Sequence, residues 1–205
     1  MFGNEMWLLI DSINSWQLAV GSCQMRTVCC QLPTANCKLF NDYICTMKIL
    51  MVCLGNICRS PLAEGILQDM AAKAGLDWTI DSAGTNGYHT GEPPHRLSIK
   101  VAAQNGIDIS TQRSRIFVAT DFDHYDIIYA MASDVLDDMR MIAGKKFDRT
   151  KAKIFLNELY AGENRDVPDP WYGTEPGYHE AFAIIHEACE IVVKKYANQQ
   201  VSKYA

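Results

Sequence analysis

Long apolar runs are missing from this 205-residue chain: stretches such as Met6 to Ile10 fall far short of the roughly 20 residues that span a bilayer. No membrane insertion is expected. An excess of positive charge is missing too. Asp and Glu number 24 against 19 Lys and Arg, for a net charge of -5, which removes the general electrostatic case for nucleic-acid binding. Histidine is scarce, with five in the chain and no metal or triad pattern among them; His179 and His186 share a helical face as ordinary surface or packed residues. The eight cysteines do not make a disulfide framework either. Cys23, Cys29, Cys30, Cys37 and Cys45 crowd the first 46 residues without paired CxxC spacing, and only Cys53, Cys58 and Cys189 follow. That distribution suits a reduced, cytoplasmic setting, with no metal and no organic cofactor. What remains, 48% apolar and 21% charged residues, is the composition of one ordinary globular domain.

The chain has two unequal parts. Before Met47 the apolar residues come in short bursts broken by Asp11, Ser12, Asn14 and Ser15, with no sustained period of 2 or 3.6. Glu5 stands ahead of Met6, where a secretory signal would carry a basic region. The expectation is a domain over 47–205, preceded by a 1–46 extension that is poorly ordered or a misassigned start. A small accessory region is the alternative.

From Met47 strands and helices alternate. Lys48 to Cys53 reads as a buried strand. A helix opens at Ser60-Pro61, with Pro61 at its first position and Glu64 in its first turn; Leu62, Ile66, Leu67 and Met70 share one face, and Gly75 stops it. Trp78 to Ala83 is a second strand, and a helix runs from about His95 to Asn105. Asp126 to Met131 is a third strand, with Ser133 as the N-cap of the helix after it. Ala152 to Leu156 is a fourth strand, and a last helix from about Gly177 to Ala197 carries Phe182, Ile185, Cys189 and Val192 on one stripe. Such alternation predicts an α/β three-layer sandwich, with a small, about four-stranded parallel sheet between helices. Ligands bind beyond the carboxyl ends of such strands, which singles out the loop after the first.

That loop is Cys53-Leu54-Gly55-Asn56-Ile57-Cys58-Arg59-Ser60-Pro61. A cysteine followed six residues later by arginine is weak alone, since chance supplies about 0.3 such pairs in this composition. The context sharpens it. The cysteine ends a buried strand, Gly55 and Asn56 suit an unusual backbone turn, and Ser60-Pro61 starts a helix. A short loop entering a helix N-terminus aims unpaired N–H groups at one point, as a phosphate dianion requires. Arg59 adds a planar fork for two phosphate oxygens. The same positive surroundings favour the thiolate of Cys53 as a nucleophile. A buried, inert cysteine is the bland alternative.

Val52 to Pro61 resembles the signature loop of the low-molecular-weight protein-tyrosine phosphatases, and Asp169-Pro170-Trp171-Tyr172-Gly173 resembles their general-acid loop. The similarity runs from Met47 to about Tyr196. It implies that Cys53 attacks phosphorus to form a phosphocysteine, that Arg59 clamps the oxygens, and that Asp169 protonates the leaving phenolate and then activates water. It further implies that Asn56 holds the loop shape, that Ser60 hydrogen-bonds the thiolate, that Ser82 supports Asn56, and that Cys58 pairs reversibly with the nucleophile under oxidation. Tyr88, Trp171 and Tyr172 become the pocket walls, with Arg96 either near the rim or an ordinary surface residue. Tyrosine-phosphorylated proteins become the partners, a bacterial tyrosine kinase among them.

Three rival functions share these features. Thioredoxin-coupled arsenate reductases need two further cysteines that are missing between Cys58 and Cys189. Protein-arginine phosphatases carry threonine where Ile57 stands. A non-catalytic phosphoprotein-binding module would not need Cys53, Arg59 and Asp169 together. Two departures from the family pattern affect the support of Ser60: Ala132 stands where many members have aspartate, and Gln112 where they have histidine.

Overall fold

The computed structural model describes residues 46–202. The expectation for the segment before Met47 therefore lies, but for Thr46, outside the described residues. Four parallel strands form one sheet in the order β2-β1-β3-β4: β1 Met47–Cys53, β2 Trp78–Gly84, β3 Ile127–Ala130 and β4 Ala152–Ile154. The helices are α1 Arg59–Lys73, α2 Arg96–Gln104, α3 Asp121–His124, α4 Ser133–Ala143 and α5 Glu175–Ser202.

β1 is buried on both faces, and its alternation sorts the two cores. Ile49 and Met51 pack with Leu62, Ile66 and Leu67 of α1 and with Ile185, Cys189 and Val192 of α5. Leu50 and Val52 pack with Phe117, Phe122 of α3, and Val135 and Met139 of α4. The apolar stripes expected on α1 and α5 are thus the inner faces of one helical layer, and α3 and α4 form the other. Both cores press on β1, which also pairs with a strand on each edge, so the loop leaving its carboxyl end springs from a tightly packed interior strand.

Several local expectations are corrected. α1 starts at Arg59, so Pro61 is its third residue and no acidic residue occupies its first turn; Glu64 lies further along. Pro61 still disrupts nothing, because first-turn N–H groups have no intrahelical partner. Ser133 is not an N-cap. Ala132 holds that position, and Ser133 bonds instead to Asp166, through its N–H at 2.7 Å and its hydroxyl at 3.3 Å. The fourth strand stops at Ile154, where Phe155–Glu158 tightens into a 3-10 turn that lets Glu158 accept from the Tyr129 hydroxyl at 2.8 Å. No helix among the described residues is long and apolar enough to cross a membrane.

Candidate active site

The loop from Cys53 to Arg59 is fixed by bonds that point outward. The carbonyls of Cys53, Leu54 and Ile57 accept from the backbone N–H groups of Thr85, Asn86 and His95 at 3.0, 2.9 and 2.7 Å. Those of Gly55 and Cys58 accept from the hydroxyls of Ser114 and Ser98 at 3.3 and 3.4 Å. In a planar trans peptide the C=O and N–H point opposite ways, so each outward carbonyl turns an N–H to the concave side. The Asn56 N–H is one of these and lies 3.2 Å from Cys53 Sγ.

Asn56 has φ of 54°, left-handed backbone that asparagine tolerates better than most residues. Its buried side chain is fully used. Oδ1 accepts from the Arg115 N–H at 2.9 Å, and Nδ2 donates to Ser60 Oγ at 3.0 Å and Ser82 Oγ at 2.8 Å. Ser60 Oγ in turn lies 3.0 Å from Cys53 Sγ. Gly84 closes the back of the loop. A Cβ there would come 2.9 Å from Leu54 O and 3.1 Å from Asn56 N, so only glycine lets β2 approach this closely.

Arg59 and Asp169 lie 110 positions apart in sequence and meet over this loop. Arg59 Nη2 donates to Asp169 Oδ2 at 2.6 Å, and Nη1 donates to Val167 O at 3.3 Å. Its Nε is buried without a partner among the described residues, a donor left for an anion. Cys53, Arg59 and Asp169 line one cavity of about 270 Å³, together with Leu54, Gly55, Ile57 and Cys58 of the loop and the exposed rings of Tyr88, Trp171 and Tyr172. The expected loop and wall residues are therefore brought together. Arg96 is exposed and outside the lining.

Cys58 is a buried thiol 3.8 Å from the Tyr178 hydroxyl, and burial pushes it up to about 12. Cys53, Cys58 and Cys189 are all free. Among the described residues no group of three or more His, Cys, Asp or Glu is placed to hold a metal ion.

The chain matches the model of the family described as low molecular weight phosphotyrosine protein phosphatase over residues 48–203. It belongs to that family. A relative, the low molecular weight protein-tyrosine-phosphatase YfkJ of Bacillus subtilis, is 38% identical over 146 residues, covering 70% of this chain and 92% of the relative. The YfkJ crystal structure superposes with a TM-score of 0.69 at 35% identity, covering 75% of this chain and 96% of that one. Vibrio vulnificus Wzb in complex with benzylphosphonate gives 0.66 at 30% identity, covering 73% and 98%. The YwlE arginine phosphatase with a phosphorylated active-site serine gives 0.66 at 25% identity, covering 73% and 95%. The family is one of hydrolases, and its four-stranded α/β fold is the fold of this chain.

Besides Asn86, which lines the cavity, three site residues escape sequence reasoning. His89 and His95 flank the Trp171 ring, with centroids at 5.5 and 5.6 Å. His95 also stacks on Tyr178 at 5.2 Å, and burial, with Arg96 adding, lowers its affinity for a proton. The third is Glu64, which accepts from the Ser82 hydroxyl at 2.6 Å. The two histidines were legible only as neighbours of Tyr88 and Arg96; Glu64 left no local signal.

Proposed function

We propose that the chain hydrolyses phosphotyrosine in proteins through a phosphocysteine intermediate. The observation that carries this reading is the convergence of the Cys53 sulfur, the Arg59 guanidinium and the Asp169 carboxyl on one aromatic-rimmed cavity. The Cys53 thiolate attacks phosphorus, the S–P bond forms and the P–O bond to the tyrosyl ring breaks. Asp169 gives its proton to the departing oxygen. Water then attacks phosphorus, Asp169 takes the proton, the S–P bond breaks and phosphate leaves. Arg59 and the inward N–H groups hold the equatorial oxygens throughout. In the free enzyme the Asp169 carboxylate is bound to Arg59; a phosphate dianion replaces it there, and the freed carboxylate takes a proton from solvent, which it then gives to the leaving oxygen.

Substrate choice follows from the walls. Tyr88, Trp171 and Tyr172 favour an aryl ester over a short phosphoserine, and Ile57 presents an apolar surface where a guanidinium would want a polar one. Tyrosine-phosphorylated proteins are the partners in this reading, a tyrosine kinase among the candidates. Cys58 serves as the resolving thiol when Cys53 is oxidised to its sulfenic acid: the S–S bond forms and water leaves.

The test is phosphate release from phosphotyrosine, phosphoserine and phosphoarginine peptides, with arsenate reduction measured on the same sample. Phosphotyrosine turnover is expected, and a Cys53→Ser protein should show none. Preference for phosphoarginine, or aryl phosphate cleavage by Cys53→Ala at the parent's speed, would remove this assignment.

A further inference from the structure

Four hydrogen bonds join the sulfur of Cys53 to a carboxyl on the far side of the loop. Ser60 Oγ lies 3.0 Å from Sγ, Asn56 Nδ2 donates to Ser60 Oγ at 3.0 Å and to Ser82 Oγ at 2.8 Å, and Ser82 Oγ donates to Glu64 Oε2 at 2.6 Å. The directions are forced. An Asn amide nitrogen has two protons and no lone pair to offer, so both serine oxygens accept from it. Each serine then has one proton left, and each must send it outward. Ser82 sends its proton to Glu64. Ser60 sends its proton to Sγ, its only other acceptor among the described residues being Ala83 O at the longer distance of 3.4 Å.

We infer that Glu64 is a positioning residue for the nucleophile, a terminal acceptor whose oxygen fixes the direction of the Ser82–Asn56–Ser60 bonds so that a hydroxyl donates to the Cys53 thiolate. This rests on Cys53 being the nucleophile. Without an acceptor beyond it, the Ser82 hydroxyl can turn its proton onto the Asn56 amide, and the two donors then oppose each other. Among the described residues the other edge of Asn56 is held by the Arg115 N–H alone, so a disturbed amide also loosens Ser60.

The surroundings of Glu64 fit a group kept for its direction. Its own helix contributes Gln68, which donates to Oε1 at 3.3 Å. β2 contributes Ser82 and the Asp81 carboxylate, and the loop before α3 contributes Arg115, whose guanidinium also binds Asp121 and Tyr125. Burial pushes the Glu64 carboxyl up to about 7, with Asp81 adding to the rise and Ser82, Gln68 and Arg115 opposing it. Ionising it here costs stability, a cost that packing alone would not require. Gln112, whose Oε1 is buried without a partner among the described residues, does not relieve it.

The test uses Glu64→Leu, close in volume but without acceptors, and Glu64→Gln, which retains one oxygen. The rate of iodoacetamide alkylation of Cys53 is followed against pH, with kcat/KM for an aryl phosphate alongside. In Glu64→Leu the alkylation curve is expected to move to higher pH and kcat/KM to fall about three- to tenfold, the scale of one hydrogen bond. Glu64→Gln should lie between Leu and the parent. In a Ser82→Ala background, Glu64→Leu should change nothing further. A curve that stays put, or moves to lower pH as removal of a mere negative charge would cause, overturns the inference. Additive effects of Glu64→Leu and Ser82→Ala overturn it equally. If Glu64→Leu does not fold, Glu64→Gln with Ser82→Ala completes the same cycle. Activity surviving in Cys53→Ala would instead remove the nucleophile assignment, a separately readable failure.

Discussion

The two loops that build the cavity are held in opposite ways. From Cys53 to Ser60 the phosphate loop is buried except at Leu54 and, in part, Gly55, its carbonyls tied outward and its asparagine bonded on both edges. The Asp169 loop lies open: the carboxyl is 38% exposed, Trp171 41% and Tyr172 95%. Preorganised donors act on charge only if they need not move when it develops, which is the phosphate loop's condition. A proton carrier must meet a leaving oxygen whose place is set by the substrate, and a lightly held loop permits that. Strength of fixation thus divides along the line between charge stabilisation and proton transfer.

Substitutions can break that division. The largest effect on turnover is expected from Asp169→Ala, a loss of about 10²–10⁴ in kcat with substrate binding retained; unchanged kcat on an aryl phosphate would take proton transfer away from the open loop. Gly84→Ala tests the closed one. Its Cβ has no room beside Leu54 O, so a loss of about 1–3 kcal/mol and a Tm lowered by roughly 3–10 °C are expected, with lower activity, by thermal unfolding and steady-state assay. Cys58→Ser should match the parent until mild peroxide is applied. After dithiothreitol the parent recovers and the variant does not; equal recovery would end the resolving role. The smallest effect belongs to Tyr172→Ala, a loss of about two- to tenfold in kcat/KM on an aryl phosphate with stability unchanged, because its ring is almost wholly in water until a substrate ring covers it.

Legibility in the sequence followed the same division. The phosphate loop could be read because its parts are consecutive: a strand, a cysteine, a tight turn, an arginine and a helix start within ten residues. The alternation of Ile49, Leu50, Met51 and Val52 between two cores was likewise visible as a continuous apolar run. Asp169 needed the aromatic residues after it, since an Asp-Pro pair marks an ordinary turn. Glu64 was misread because its partner lies 18 residues away on β2, and by itself it resembled a helix-start carboxylate. Ser133 was misread for a similar reason, captured by Asp166 from 33 residues downstream. α3, four residues long, is too short to display a period.

Val167 gives the open loop a fixed root. Its N–H donates to Met131 O at 2.8 Å, its carbonyl accepts from Arg59, and its side chain is sealed in the core. Asp169 is two links along from this anchor, a tether of at most about 7 Å of backbone. So short a leash makes the acid a gauge of substrate depth: an ester oxygen seated too high above the sulfur is out of its range, however well the phosphate itself is gripped.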